Sequence, residues 1–250
     1  RLKIENEFNY NDFIKNGLEY IFFVNRSSSF NYKIKKNSIN FISENKKNNY
    51  NGRIDLKPFY FKANFNYDGI SFKNVFNDDS IFNDLIKSEI LNNPNLNAKI
   101  DIDIKDIVNI DELNKLFLSV IIDEGAINLS NSNILWKEDV KITLGESSLY
   151  YDDSGINLIG KFTIDFNNIN NFYRSFQIKK NSRKQISKIE INFNYDLNRK
   201  RINFDNVKID SIQNAKLEKY IDNFNKEEFK SLNKIIFKNF IKNFFDIYAG

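Results

Sequence analysis

The chain has 250 residues, 41% of them hydrophobic, and a formal net charge of +4. This hydrophobic fraction excludes wholesale disorder, and the length suffices to bury a core in one large all-β domain or in two ordinary ones. Cysteine and histidine are both absent, which excludes disulfides and thiolate metal sites and removes the commonest general base. The mild positive charge does not by itself indicate a nucleic-acid partner.

Methionine is also absent, including at position 1, so we expect the sequence to be a piece of a longer chain. The many Asn, Lys, Ile and Phe residues are typical of translation from an AT-rich genome, which explains the Asn content without a prion-like segment. No apolar run is long enough to span a bilayer, since even Leu18–Val24 is short and interrupted by Glu19.

The first fifty residues are the least defined part of the pattern, and they predict strands. We expect a strand near Leu2–Tyr10, a buried strand at Leu18–Val24, and a hairpin of Phe30–Ile34 with Ile39–Ile42. The polar residues 43–51 predict a loop.

A long strand region is predicted from Arg53 to Phe72. Its apolar phase shifts at Lys57-Pro58, which predicts a bulge or a sheet edge because proline cannot donate to the ladder. Asp68-Gly69 is typical of a two-residue hairpin turn.

After this region the spacing of apolar residues alternates between the helical period and the strand period. Residues 77–92 predict a helix that ends before Pro94, Leu96–Ile104 a strand, and Leu113–Phe117 a short helix. Residues 119–166 predict a meander with turns at Glu124-Gly125 and at 153–155. Its strands are expected at Val120–Ile122, Ala126–Leu129, Val140–Leu144, Leu149–Tyr151 and Ile156–Phe166.

The last part of the chain contains the clearest elements. Ile169–Phe176 predicts an amphipathic helix, and the basic loop Lys179–Lys184 leads into a strand pair at Ile186–Asp210. One extra residue before Val207 predicts a bulge in the second strand of this pair. Residues 211–250 predict two amphipathic helices.

One pentapeptide, Asn-Phe-Asn-Tyr-Asp, occurs at Asn64–Asp68 and again at Asn192–Asp196. The pattern Ile-x-Phe-x-Asn-Val follows each copy, at Ile70–Val75 and at Ile202–Val207, which predicts a repetition of amphipathic hairpins. No linker rich in Gly, Pro or Ser divides the chain. We therefore expect one continuous, mainly β region, an extended or curled antiparallel sheet with short flanking helices and a helical C-terminus.

Acidic residues do not predict a catalytic or metal site. Asp101 and Asp103 share a strand face with Lys99 and Lys105, so a charge-balanced solvated surface is favoured over acid–base chemistry. The acidic segments 77–80 and 152–155 lack the spacing of a calcium loop and are interpreted as a helix cap and a turn. We predict no enzyme activity, cofactor or metal.

Basic residues cluster at Lys179–Lys184, where a solvated loop is favoured over phosphate binding. Aromatic residues follow the strand period and do not punctuate a basic face, so no nucleic acid is predicted as a partner. In the last helix, lysines recur every four residues from Lys230 to Lys242 beside an apolar face. Packing of this helix on a sheet is favoured over a position on a membrane surface.

At least eight strand segments are apolar on one face only, and this face must be covered. Helices or a second sheet would cover it in a closed sandwich, whereas a curled sheet could hold acyl chains there. Periodicity does not separate these two architectures.

Five segments of the sequence resemble a known protein family: Asn131–Trp136, Gly155–Phe162, Asn171–Gln177, the strand pair Ile186–Asp210, and Phe244–Gly250. In these segments the region Leu129–Gly250 resembles the C-terminal region of AsmA-like proteins, the Gram-negative envelope proteins that include the TamB and YhdP relatives. The resemblance extends upstream through Gly52–Phe72.

This resemblance implies a periplasmic β-groove that carries phospholipid for outer-membrane biogenesis, in a protein anchored to the inner membrane by a helix outside this sequence. The implied partners are phospholipid acyl chains, the inner membrane and other envelope proteins. The alternative is a closed β-sandwich with a structural or assembly role and no lipid cargo. The residues expected to face the lipid are Ile100, Ile102, Phe162, Ile164, Ile189, Ile191, Phe193, Ile202 and Phe204.

Overall fold

A computed structural model of the chain describes residues 3–11, 14–23, 26–44, 48–71, 93–108, 110–152, 155–199, 201–226 and 234–250, with side-chain surroundings from Phe30 onward. The fold is mainly β, with three described helices that include a C-terminal one, as predicted. The chain divides into two compact units. Unit 1 comprises 1–109 and 117–127, and unit 2 comprises 110–116 and 128–250.

The sequence analysis expected a single continuous region. Two of the three points where the chain crosses between the units lie inside strands, β8 Leu113–Asp123 and β9 Ala126–Asn128, so they give no compositional signal of a linker.

Unit 1 is built on a meander of antiparallel strands. Its strands are β1 Lys3–Asn11, β2 Ile14–Phe23, β3 Arg26–Lys35, β4 Ser38–Glu44, β5 Asn48–Leu56, β6 Phe59–Ile70 and β7 Ala98–Ile107. Strands β1 to β6 pair in chain order, and β7 pairs with β6 in parallel. The strands predicted within the first fifty residues and at Leu96–Ile104 are confirmed.

Four predictions for this part of the chain were wrong. The expected loop at 43–51 is mostly strand, because β4 ends at Glu44 and β5 begins at Asn48. Lys57-Pro58 is a turn between two strands and not a slip within one. Leu56 pairs with Phe59 across this turn, so both side chains lie on the same face of the sheet. Because only two residues separate them, the alternation of apolar and polar residues shifts by one position at the turn.

The other two corrections concern Asp68-Gly69 and the predicted helix at Leu113–Phe117. Asp68-Gly69 lies inside β6, which continues because β7 pairs alongside it, with Gly69 opposite Asp106. Leu113–Phe117 lies in β8, where a run of apolar residues extends the strand to Asp123. The helix predicted at 77–92 lies outside the described residues, as does most of Ile70–Val75.

Unit 2 combines a second antiparallel meander with all three described helices. Its strands, in pairing order, are β10 Ser132–Trp136, β11 Val140–Asp152, β12 Gly155–Phe166, β13 Lys188–Asp196, β14 Arg201–Ile209 and β15 Ile212–Gln213. The helices are α1 Ile169–Ser175, α2 Ala215–Lys226 and α3 Lys234–Ala249. The helices predicted at Ile169–Phe176 and within 211–250 are confirmed, as is the hairpin at Ile186–Asp210.

Details of this meander refine the prediction. The strands expected at Val140–Leu144 and Leu149–Tyr151 form one strand, β11, with an irregular register between Gly145 and Ser148. The bulge before Val207 is confirmed: the β13–β14 register shifts there, and Asn206 has a φ of 47°. The basic loop Lys179–Lys184 contains a short 3-10 turn at Lys180–Ser182.

Helices cover one face of the unit 2 sheet and close a core. Ile189, Ile191 and Val207 from the sheet pack with Leu217 of α2 and Phe245 of α3, and each of these side chains is at most 5% exposed. The short helix α1 is capped by the Asn168 side chain, which accepts a hydrogen bond from the Asn170 N–H. Burial of aliphatic and aromatic side chains therefore stabilises this unit as it does an ordinary two-layer domain.

Candidate functional site

One face of the unit 1 sheet is almost entirely apolar. Paired residues of neighbouring strands lie on the same face of a sheet. From β3 to β7 the apolar residues of each strand pair mostly with apolar residues of the next, so the apolar surface is continuous over these five strands. We call this surface the apolar face of unit 1, and define it by Phe30, Tyr32, Ile34, Ile39, Phe41, Tyr50, Ile54, Leu56, Phe59, Phe61, Ala63, Phe65, Tyr67, Ala98, Ile100, Ile102 and Ile104.

Seven aromatic rings form a continuous cluster on this face. Neighbouring ring centroids lie between 5.7 and 6.5 Å apart, with tilted, edge-to-face and stacked arrangements. Such pairs contribute beyond the burial of their surface area. The members are Phe30, Tyr32, Phe41, Tyr50, Phe61, Phe65 and Tyr67.

A glycine makes room for one of these rings. Gly52 lies opposite Phe41 in the β4–β5 register, and the Phe41 ring occupies the space where a side chain at position 52 would be. A Cβ added there would lie 2.6 Å from the Lys62 carbonyl oxygen and closer still to the ring. The aromatic cluster thus depends on the absence of a side chain at Gly52.

Most side chains of the apolar face are only half-buried. Leu56 and Phe59 are 44% and 41% exposed at the end of the β5–β6 hairpin. Among the described residues of unit 1 there is no helix to pack on this face. Part of the apolar area of these described residues is therefore accessible, whereas α2 and α3 cover the sheet face of unit 2.

The face is also uncharged at neutral pH. Burial raises the pKa of the Tyr67 phenol above its ordinary value, and the neighbouring Tyr50 adds to this shift. The phenol consequently stays protonated throughout the physiological range. An apolar ligand would meet no charge on this surface.

The opposite face of the same strands is polar, and its groups are paired with each other. The Asn64 amide donates to Asn51 at 3.1 Å, and the Asn66 amide donates to Asn49 at 2.8 Å. Arg53 and Asp55 form an ion pair at 2.6 Å.

The carboxylates considered for acid–base chemistry lie on this polar face. Asp101 accepts a hydrogen bond from the Ser119 hydroxyl at 2.7 Å and lies 3.7 Å from the Lys99 ammonium. This arrangement fits the solvated, charge-balanced surface that the sequence favours. The described residues contain no group of three or more acidic side chains placed to hold a metal ion.

The nine residues predicted to face lipid divide between the two units. Ile100 and Ile102 lie half-buried on the apolar face of unit 1. The other seven lie on the strands of unit 2, on the face that carries its core. Three of them, Ile189, Ile191 and Phe193, are 4–5% exposed.

Protein side chains of the described core already contact six of these seven residues, all except Ile202. Phe162 stacks on Phe193 with ring centroids 4.1 Å apart, and Phe204 lies 5.5 Å from Phe240 of α3. Lipid contact at Ile189 and Ile191 would require the helices to move, because both side chains are buried in the core that α2 and α3 complete. Most of this group therefore belongs to the core of unit 2, in contrast to the partly exposed residues on the apolar face of unit 1. The aromatic residues on the apolar face of unit 1 were not among the nine predicted, because lipid-facing residues were assigned one strand at a time. The alternation from Phe59 to Tyr67 was the available signal.

The basic loop has a structural role. The Lys179 ammonium pairs with Asp246 of α3 at 3.3 Å, Arg183 donates to the Ile178 carbonyl oxygen, and Lys184 lies over the Tyr248 ring. Helix α3 itself buries Phe240, Phe244 and Phe245, which agrees with the packing interpretation of its amphipathic pattern. In the described part of the chain, no helix is both long and apolar enough to cross a membrane.

No family model, curated protein or solved structure matches the chain. The resemblance to AsmA-like proteins therefore stays a prediction.

Proposed function

We propose that this protein is a non-enzymatic lipid-binding component of a bacterial envelope, and that phospholipid acyl chains lie on the apolar face of unit 1. The observation that supports this most is the continuity of that face over five strands, with half-buried aromatic side chains at its centre. A continuous apolar surface that stays partly exposed is a frequent feature of binding sites.

Acyl chains suit this surface in size and chemistry. Each methylene transferred from water contributes about 0.8 kcal/mol, so a chain that spans several strands gains enough to bind without any specific polar contact. Neighbouring strands are about 4.8 Å apart. Five strands, from β3 to β7, thus present a width of about 20 Å, which is close to the length of an extended acyl chain of a membrane phospholipid.

The cellular setting in this proposal comes from the resemblance to AsmA-like proteins. In that setting the protein is periplasmic, is anchored to the inner membrane by a segment outside this sequence, and passes phospholipid toward the outer membrane. The headgroups would stay in water at the open side of the face.

A second candidate function applies to unit 2. Its helix-covered core favours a closed structural or assembly module without lipid cargo. If unit 1 proves to bind no lipid, this reading extends to the whole protein.

The test is native mass spectrometry of the purified protein, followed by solvent extraction and lipid analysis. The test variant is Phe61→Ser with Phe65→Ser, and the matched control is Tyr60→Ser, which removes an aromatic side chain from the opposite face of the same strand. We expect co-purifying phospholipid in the parent and in the control, and little or none in the test variant, with unchanged circular dichroism. A lipid-free mass from folded parent protein would contradict the proposal.

A further inference from the structure

The last long strand of unit 2 has an edge that is only partly covered by another strand. Strand β15 pairs with β14 at Lys208 and Ile209 alone. From Arg201 to Val207 the outer edge of β14 has no strand beside it among the described residues. Exposed strand edges are templates for pairing with another chain, so proteins protect them by specific devices.

A side-chain amide protects this edge at its centre. Asn225, in the last turn of α2, donates from its amide nitrogen to the Phe204 carbonyl oxygen at 2.7 Å and accepts from the Phe204 N–H at 3.0 Å. One amide thereby satisfies both backbone groups of Phe204, as a neighbouring strand would. The Arg201 guanidinium donates to the backbone carbonyl oxygen of Asn225 and holds this turn of the helix in place.

The sequence of the edge is self-complementary. If a second β14 approached in antiparallel orientation with Asn203 opposite its own copy, Arg201 would lie opposite Asp205 of the other chain, twice over by symmetry. Ile202 would lie opposite Phe204. Both ion pairs would then lie on the polar face, and both apolar pairs on the other.

The hydrogen-bonding direction agrees with this register. Backbone groups that point to the same edge recur every second residue, so Ile202 and Phe204 both point outward from β14. In the symmetric pair these two residues would exchange both of their N–H to O=C bonds. Phe204 cannot form these bonds while its backbone N–H and carbonyl groups are hydrogen-bonded to the Asn225 side chain.

We propose that the outer edge of β14 is a docking site for a second copy of this chain, and that Asn225 closes it in the monomer. The dimer would be a closed antiparallel pair with twofold symmetry, because each edge is used once. This proposal is independent of the lipid proposal, since it involves unit 2 alone.

The test is sedimentation of the full chain over a range of concentrations. Asn225→Leu removes both amide hydrogen bonds, and we expect it to raise the dimerisation constant by about tenfold, which corresponds to a net gain of one or two hydrogen bonds. Asn225→Asp keeps the acceptor for the Phe204 N–H and should give a smaller increase. If the leucine variant fails to fold, the aspartate variant decides: association equal to that of the parent overturns the proposal.

Charge reversal then tests the register. In the Asn225→Leu background, Arg201→Asp places like charges opposite each other and should weaken the dimer, while adding Asp205→Arg should restore it. Both of these variants lack the hydrogen bond from Arg201 to the backbone of residue 225, so its loss does not affect the comparison between them. Restoration supports the antiparallel pair centred on Asn203. A monomeric Asn225→Leu protein, failure of the second reversal to restore the dimer, or growth beyond dimers would each contradict it.

Discussion

The pentapeptide Asn-Phe-Asn-Tyr-Asp forms a strand in both units, but its phenylalanines meet different surroundings. Phe193 in β13 is 4% exposed and stacks on Phe162 within the unit 2 core. Phe65 in β6 is half-buried, and its ring neighbours are Tyr50 and Tyr67, 5.7 and 6.2 Å away. The local sequence determines the strand and its apolar side, whereas helices elsewhere in the chain determine whether that side is closed.

The final aspartate of the pentapeptide shows the same dependence on context. Asp196 ends its strand and accepts hydrogen bonds from the backbone N–H groups of Asn198 and Arg199, which fixes the turn into β14. Asp68 lies inside β6, because the partner strand β7 runs parallel and continues past it. A turn-forming residue thus turns the chain only where the pairing partner requires it.

The largest expected difference between the two copies is the cost of truncating their phenylalanines. Phe193→Ala should lower the free energy of unfolding by about 3–5 kcal/mol, the usual cost of emptying a buried aromatic site. Phe65→Ala should cost about half as much, because its side chain is only partly buried. Urea unfolding checks this, with fluorescence of Trp136, the one tryptophan, reporting on unit 2 and circular dichroism on both units. Equal costs would contradict the difference in closure.

Glycine-to-alanine substitutions also test how the packing of the two units differs. Gly52→Ala should lower the free energy of unfolding by about 1–3 kcal/mol, the cost of overpacking, because the new methyl group would collide with Phe41 and the Lys62 carbonyl. The control is Gly145→Ala in unit 2, where the nearest atom to an added Cβ is 3.8 Å away. Urea midpoints measure both. A larger loss at Gly145 would show that the aromatic cluster does not depend on Gly52.

Acid should weaken unit 2 through three carboxylates. The Ser187 hydroxyl and backbone N–H groups lower the pKa of Asp210, Lys161 and Lys188 lower that of Glu190, and Ser182 and Lys179 lower that of Asp246. A group with a lowered folded-state pKa stabilises the fold above its unfolded value, and this contribution disappears as the pH falls through the folded value. The midpoint reported by Trp136 should therefore fall as the pH drops below about 4.

Asp210→Asn tests this acid effect. We expect it to cost about 1 kcal/mol at neutral pH and to flatten the acid dependence, because hydrogen bonds to a neutral amide are weaker than those to a carboxylate. If the unfolding midpoint of this variant depends on pH as that of the parent does, Asp210 does not contribute to the acid destabilisation of unit 2.

A similarly small effect is expected at helix α1 of unit 2. Asn168→Ala removes the cap of α1 and should lower the free energy of unfolding by about 1 kcal/mol. Thermal unfolding followed by Trp136 fluorescence is sensitive to this change, because Trp136 packs against Phe172 of α1 with ring centroids 5.1 Å apart. Asn168→Asp keeps an acceptor and serves as the control.

Period-two and helical patterns predicted most strands and all three described helices correctly, because they depend on neighbours in sequence. The errors occurred where pairing decided the structure. The Lys57-Pro58 turn and the continuation of β6 through Gly69 depend on which strand lies alongside, which periodicity does not encode. The same limit applied to the candidate site. Ile191 and Phe65 have similar patterns around them, and only the packing of α2 and α3 distinguishes a core residue from an accessible one.

The measurement that tests the central claim most directly is photo-cross-linking from single positions in β6. A photoreactive phenylalanine at Phe61 lies on the apolar face, and the same residue at Tyr60 lies on the polar face of the same strand. After irradiation in cells or with phospholipid vesicles, mass spectrometry identifies any covalently attached lipid. We predict lipid adducts at position 61 and none at position 60. Equal labelling at both positions, or no adduct at 61 in folded protein, would contradict lipid binding on the apolar face of unit 1.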